Sequence, residues 1–311
     1  MLSRRDILIG AGVAGAAALA RPVASAFATA SQPSTPIHFR VPAGACDCHT
    51  HIFGDPRRFP FAAARPYTPE TASVAEMQSL HRALHIDRVV IGQPTVYGTD
   101  HSCALDAIQQ IGPGARGIAV LGENTSDAEI DRLHRGGFRG VILHKASSLQ
   151  AAADRIKGRG WHVELYVQLA EIEHIKEHVI ASPVPVVLTI FGGAQASLGL
   201  QQPGFDTLLS LLHGGKVYID LSPPFRVSKQ APDFPDIAPI AKALIAANPE
   251  RMTWGTDWPH TAAKPGQQMT GITPMEPIDD GHSLNLLATW TSGADQLKLI
   301  LVDNPARLYG F

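Results

Sequence analysis

Two short stretches concentrate the side chains that could move protons or polarise a bond. One is Asp47-Cys48-His49-Thr50-His51; the other is Trp254-Gly255-Thr256-Asp257-Trp258-Pro259-His260. In a strand, alternate side chains point the same way, so Asp47, His49 and His51 are expected on one face. A polar triplet facing a core is costly unless its members are paired, solvated or bound to something. In the second stretch a carboxylate is followed by residues that continue a strand poorly. Asp257 could accept a proton from water, and the two imidazoles could polarise a carbonyl or hold a metal that does so. That is the chemistry of hydrolysis. The competing reading is a hydrogen-bonded brace inside the fold, and a His-x-His pair alone would favour it. The second stretch and the rhythm of the chain around both turn the balance toward function.

That rhythm places them. Strand-like runs are read at Cys46–Ile52, Arg88–Gln93, Arg116–Leu121, Gly140–His144, His162–Gln168, Val184–Phe191, Lys216–Leu221 and Arg251–Thr256. Helix-like runs alternate with them, among them Thr71–Leu84, Asp127–Arg135, Leu169–Ile180, Phe205–Leu212, Ile237–Ala247 and Leu284–Leu301. Continuous apolar strands in repeated βα units indicate a parallel sheet covered on both faces. Eight units within residues 41–311 point to a single-domain α/β protein, a (β/α)8 TIM barrel. An open doubly wound sheet would carry a Gly-rich phosphate turn after its first strand, and His51-Ile52-Phe53-Gly54-Asp55-Pro56 is no such turn. Closure makes the first and eighth strands neighbours, which brings His49 and His51 beside Asp257. Two long loops, Phe53–Pro69 and Thr261–Ser283, come after those same strands at the carboxyl face and are expected to wall or cover a pocket.

The flanks and composition bound the setting. Ser3-Arg4-Arg5-Asp6, an apolar run from Ile7 to Ala20, and small residues around Ala24-Ser25-Ala26 and Ala26-Phe27-Ala28 resemble a bacterial twin-arginine export signal. Residues 1–28 are therefore expected to be a signal handled by the twin-arginine machinery, and the mature chain to be periplasmic or secreted. Residues 29–40 read as a disordered lead-in. The apolar run is shorter than the roughly 20 residues that span a bilayer, so no stable membrane association is expected. The formal net charge of the 311 residues is −2 and no basic patch appears, which argues against nucleic acid. Of three cysteines, Cys46 and Cys48 are too close for an unstrained bridge. They read, with Cys103, as small buried residues.

The two motifs, with Arg65-Pro66-Tyr67-Thr68-Pro69, Gln93-Pro94-Thr95, Gly160-Trp161-His162-Val163, Ser222-Pro223-Pro224-Phe225-Arg226 and Asn304-Pro305-Ala306-Arg307-Leu308-Tyr309, resemble the amidohydrolase superfamily. The resemblance runs from about residue 41 to the end and is nearest the branch of 2-pyrone-4,6-dicarboxylate lactonase and sugar-lactone enzymes. It implies Asp257 as the general base on water and His49 and His51 as polarisers of the carbonyl. It implies that Arg226, Tyr67, Thr95 and Tyr166 bind substrate oxygens; a guanidinium grips a carboxylate with two parallel bonds. Two positions depart from the pattern. Ile142 stands where the fourth strand of the branch has Arg, and His144 is the candidate to replace that charge as a substrate-binding group. Thr189 and Ile190 stand where the sixth strand has Asp-His.

The expected function is an exported hydrolase that opens a lactone or cyclic ester of a small carboxylated or sugar-derived molecule. Two alternatives are carried: a lactone isomerase or metal-dependent aromatic-acid decarboxylase of the same superfamily, and a periplasmic binding protein whose catalysis has decayed. No organic cofactor is expected. His49, His51 and Asp257 could supply three ligands to zinc or manganese, but the missing sixth-strand imidazole favours a metal-free or weakly binding site. The expected partner is a small-molecule substrate, and homo-oligomers are compatible with the fold.

Overall fold

A computed structural model describes residues 30–261 and 268–311. Eight parallel strands succeed one another around a barrel: β1 (Cys46–Thr50), β2 (Arg88–Gly92), β3 (Ala115–Ala119), β4 (Phe138–Leu143), β5 (His162–Leu165), β6 (Val186–Leu188), β7 (Val217–Asp220) and β8 (Met252–Thr253). Each pairs with the next in sequence. The extension of β8 closes the ring: Cys48 N donates to Trp254 O at 2.9 Å, Asp257 N to His49 O at 2.8 Å, and His51 N to Trp258 O at 2.8 Å. Gly255 makes that seam feasible, because a Cβ there would lie 2.6 Å from the His49 backbone nitrogen.

Helices cover the outside: α1 (Val74–Leu84), α2 (Ser102–Ile111), α3 (Asp127–Arg135), α4 (Leu149–Ile156), α5 (Ile172–Ala181), α6 (Phe205–His213), α7 (Ala238–Ala247) and α8 (Asp280–Trp290). Their starts are written locally. Ser73 and Glu76 form a reciprocal capping box at α1, and Ser126 caps α3. One core lies between helices and sheet, built on residues such as Met77, Leu80, Phe138, Trp161 and Leu244. A second fills the lumen, where Cys46, Cys48, Val90, Ile118, Val187 and Tyr218 meet Leu308 and Tyr309 from the chain's end. The three cysteines are free and buried. Among the described residues no helix is long and apolar enough to cross a membrane.

The expected helix Leu284–Leu301 is corrected: α8 stops at Trp290, and a new helix starts at Ala294 after Gly293. The last helix, Asn304–Tyr309, plugs the amino end of the barrel. A second correction concerns the lead-in, whose described part is docked rather than disordered. Ser31 O accepts from the Trp258 indole at 3.0 Å, and the hydroxyls of Ser34 and Thr35 each donate to Asp279 at 2.6 Å. Composition signalled disorder because these bonds are made to groups more than 200 residues away. The expected export signal, residues 1–28, lies outside the described residues. The two long loops meet: Thr68–Pro69 pairs in parallel with Ile272–Thr273 beside the mouth of the barrel.

Candidate active site

A register irregularity between Asp47 and Thr50 decides which side chains of β1 reach the mouth. Asp47 does not share a face with the two histidines, which corrects the strict alternation expected from sequence. It turns outward and is fully buried, accepting from Thr256 N at 2.9 Å and Thr256 Oγ1 at 2.7 Å, with His81 Nε2 of α1 at 3.1 Å. For Asp47 the bracing role holds: it ties the first helix to the strand that carries Asp257. Such irregularities add one residue to a strand and re-aim the side chains beyond it.

His49, His51 and Asp257 converge at the mouth. His49 Nε2 lies 3.6 Å and His51 Nε2 3.5 Å from Asp257 Oδ1. His51 Nδ1 is 2.9 Å from Gly92 O. A carbonyl can only accept, so the bond puts a proton on Nδ1 and aims Nε2 at the site. His49 Nδ1 lies 3.5 Å from Asp220 Oδ2, at the carboxyl end of β7. Asp257 has a positive φ of 62°, unusual for a residue with a Cβ. Its other oxygen, Oδ2, is 2.8 Å from Arg226 Nε and 2.6 Å from Arg226 Nη2.

Charge is set by these contacts. Burial pushes the Asp257 carboxyl up, but Arg226 and the two imidazoles outweigh it and hold it well below the usual carboxylate range. Burial pulls His49 down, yet Asp220 and then Asp257 outweigh it and raise it to about 9. Burial raises Asp220 to about 6 against the opposing pull of His49. Neutral solution therefore finds a cationic His49 between two carboxylates.

A cleft of about 940 Å³ opens beside this group, lined by Tyr166, Gln168, Ile190, Phe225, Arg226 and His260 among others. Tyr67 is buried beside Thr95 and lies within the field of Asp257 and Arg226; burial raises its hydroxyl to about 12, so it stays protonated as a donor. The Tyr166 hydroxyl, at the cleft wall, accepts from Gln168 Nε2 at 3.1 Å. His144 is exposed just past β4 and is absent from the cleft lining. Ile142 is half-buried in the lumen, and Ile190 lines the cleft.

Sequence reasoning missed several polar groups. Asp220, Glu164 and His162 are buried in the lumen, and His260 pairs with Asp280 at 3.0 Å behind the cleft wall. The signal for the first three was available: charged residues inside otherwise apolar strand runs. Asp280 gave none, since its partner is set by the path of a loop.

The donor set suits a divalent cation. One ligand atom from each of His49, His51 and Asp257 lies within 4.8 Å of the others. Two imidazoles and a carboxylate are ligands that zinc accepts. Asp257 Oδ2 is engaged by Arg226, which leaves Oδ1 as the oxygen that could face a metal.

The family model described as Amidohydrolase matches residues 46–311. The 2-pyrone-4,6-dicarboxylate hydrolase of Comamonas testosteroni is 33% identical over 297 residues, covering 90% of this chain and 94% of that protein. The 4-sulfomuconolactone hydrolase of Hydrogenophaga intermedia is 30% identical over 285 residues, covering 88% and 91%. The crystal structure of Agrobacterium tumefaciens ATU3138 shares the fold, with a TM-score of 0.74 at 21% identity over 90% of this chain and 98% of that one.

Proposed function

This chain belongs to the amidohydrolase family, it is a hydrolase acting on ester bonds, and on that premise we propose that it opens the lactone ring of a small carboxylated or sugar-derived molecule. The names of its relatives support the substrate class. The observation that carries the reading is the meeting of Asp257, His49, His51 and Arg226 at the mouth beside a cleft.

Asp257 Oδ1 takes the proton as water attacks the ring carbonyl, while His49, cationic at neutral pH, stabilises the oxygen that becomes negative; when the carbonyl re-forms the ring C–O bond breaks, and the departing oxygen takes the proton back from Asp257. The Arg226 ion pair makes Asp257 a weak base at rest. A substrate carboxylate that draws the guanidinium away raises the basicity of Asp257 when water must be activated. Substrate binding and base activation are then one event. Tyr67 donates to a substrate oxygen, and Thr95 and Tyr166 flank the same entrance. A divalent cation held by His49, His51 and Asp257 would polarise the carbonyl and acidify water when bound.

Two experiments test this. Purified protein, with and without added zinc or manganese, is assayed against a panel of lactones by pH-stat. Ring opening is expected, and a folded protein that leaves every lactone untouched would end the reading. The decarboxylase alternative is less well supported, because Thr189 and Ile190 supply no imidazole at β6. Export rests on Ser3-Arg4-Arg5-Asp6 and the apolar run behind it. Cell fractionation should place the mature chain in the periplasm, and Arg4→Lys with Arg5→Lys should leave it in the cytoplasm.

A further inference from the structure

We propose that Asp220 is a positioning residue that holds the His49 ring with Nε2 turned to the reacting centre. The inference rests on the lactonase reading for its kinetics, though not for its geometry. Asp220 is 3% exposed, and among the described residues neither of its carboxylate oxygens has a hydrogen bond within normal limits. The imidazole of His49 stands before it, with Nδ1 3.5 Å from Oδ2. The two nitrogens of His49 therefore face two carboxylates, Nδ1 toward Asp220 and Nε2 toward Asp257.

His51 is held differently. Its Nδ1 meets a backbone carbonyl, which the fold supplies whatever the side chains are. His49 has no such backbone partner among the described bonds, and Asp220 takes that place. A buried carboxylate with so little to satisfy it is costly to keep. For stability alone an apolar residue of similar volume would serve as well or better. Its position is explained by what it does to the ring: it draws the Nδ1 edge toward Oδ2 and prevents rotation about Cβ–Cγ. A carboxylate that orients an imidazole in this way acts through that imidazole and never touches substrate.

Asp220→Leu and Asp220→Asn separate positioning from support. Leu fills the space and should fold with an unchanged or raised Tm. Asn keeps an oxygen that can accept the Nδ1–H. On the lactone opened by the unsubstituted protein, Asp220→Leu should lose about 10–100-fold in kcat with KM nearly unchanged, and Asp220→Asn should regain most of the loss. Proton NMR supplies a second readout that needs no substrate. The hydrogen-bonded imidazole N–H resonances of His49 and His51 should both be visible in the unsubstituted protein. Asp220→Leu should remove the His49 signal and leave that of His51, held by Gly92. A Leu variant with full kcat, or with both resonances intact, would overturn the proposal. If the unsubstituted protein opens no lactone, the lactonase reading falls and the NMR comparison alone decides the role of Asp220.

Discussion

The seam between β8 and β1 and the carboxyl ends of β4 and β6 belong to one barrel mouth, and they are built to opposite rules. The seam gathers His49, His51, Asp257 and Arg226 within hydrogen-bonding or near-contact distance. It is fixed by backbone bonds between strands and by the brace of Asp47 behind it. The ends of β4 and β6 offer Ile142, Thr189 and Ile190, and the turn after β6 holds two consecutive residues with positive φ, Ile190 at 54° and Phe191 at 52°. The reacting charges sit where backbone and side-chain bonds constrain the framework most, and the turn after β6 carries two residues with positive φ in a row. One half of the mouth thus holds the reacting groups, while the other shapes the space that substrate occupies.

The largest expected effect breaks the seam's chemistry without its framework. Asp257→Asn should lower kcat/KM by roughly 10²–10⁴, the usual worth of a general base, with Tm little changed; an activity that survives would relieve Asp257 of that role. The pH profile sharpens the same point. His49 is raised to about 9, so its cation persists through neutral pH and is lost above that value. The rate should be flat across neutral pH and fall about tenfold per unit above pH 9. Asp257 is held low and should add no acid limb near the ordinary carboxylate range. A profile that instead rises through pH 9 would mean the neutral ring is the working form.

Two smaller effects address the framework on each side. Gly255→Ala would place a Cβ 2.7 Å from that of His49. The seam would have to open, at a cost of about 1–3 kcal/mol in chemical denaturation and with loss of activity. Ile190→Gly should do the reverse. Relieving a β-branched residue from the left-handed region gains about 1 kcal/mol, less what the lost contact costs, so urea midpoints should rise slightly or hold. A clear drop would show that the Ile190 side chain supports the wall more than its backbone strains it.

Much of this architecture was legible in the chain. Helix α3 is bounded by Ser126 and Gly136, and its expected limits Asp127–Arg135 are those observed. The seam was legible too, because eight βα units leave the first and last strands as neighbours. Asp47 was misplaced since strict alternation takes no account of the irregularity after it, which depends on pairing with Val89 and Ile91 across the sheet. Asp220 was passed over because Lys216–Leu221 reads as a strand whether or not one residue is charged. What that charge faces is a property of the closed ring. The docking of Ser34 and Thr35 onto Asp279 depends on the fold of the other end of the chain, which no local pattern encodes.

Tyr309 is 1% exposed and its ring lies 5.0 Å from that of His162 at the foot of the lumen. Among the described residues the amino end of the barrel is therefore stoppered by the chain's own last helix. The buried carboxylate of Asp220 sits above that stopper, so the closing residues of the chain set the floor on which the reacting groups stand.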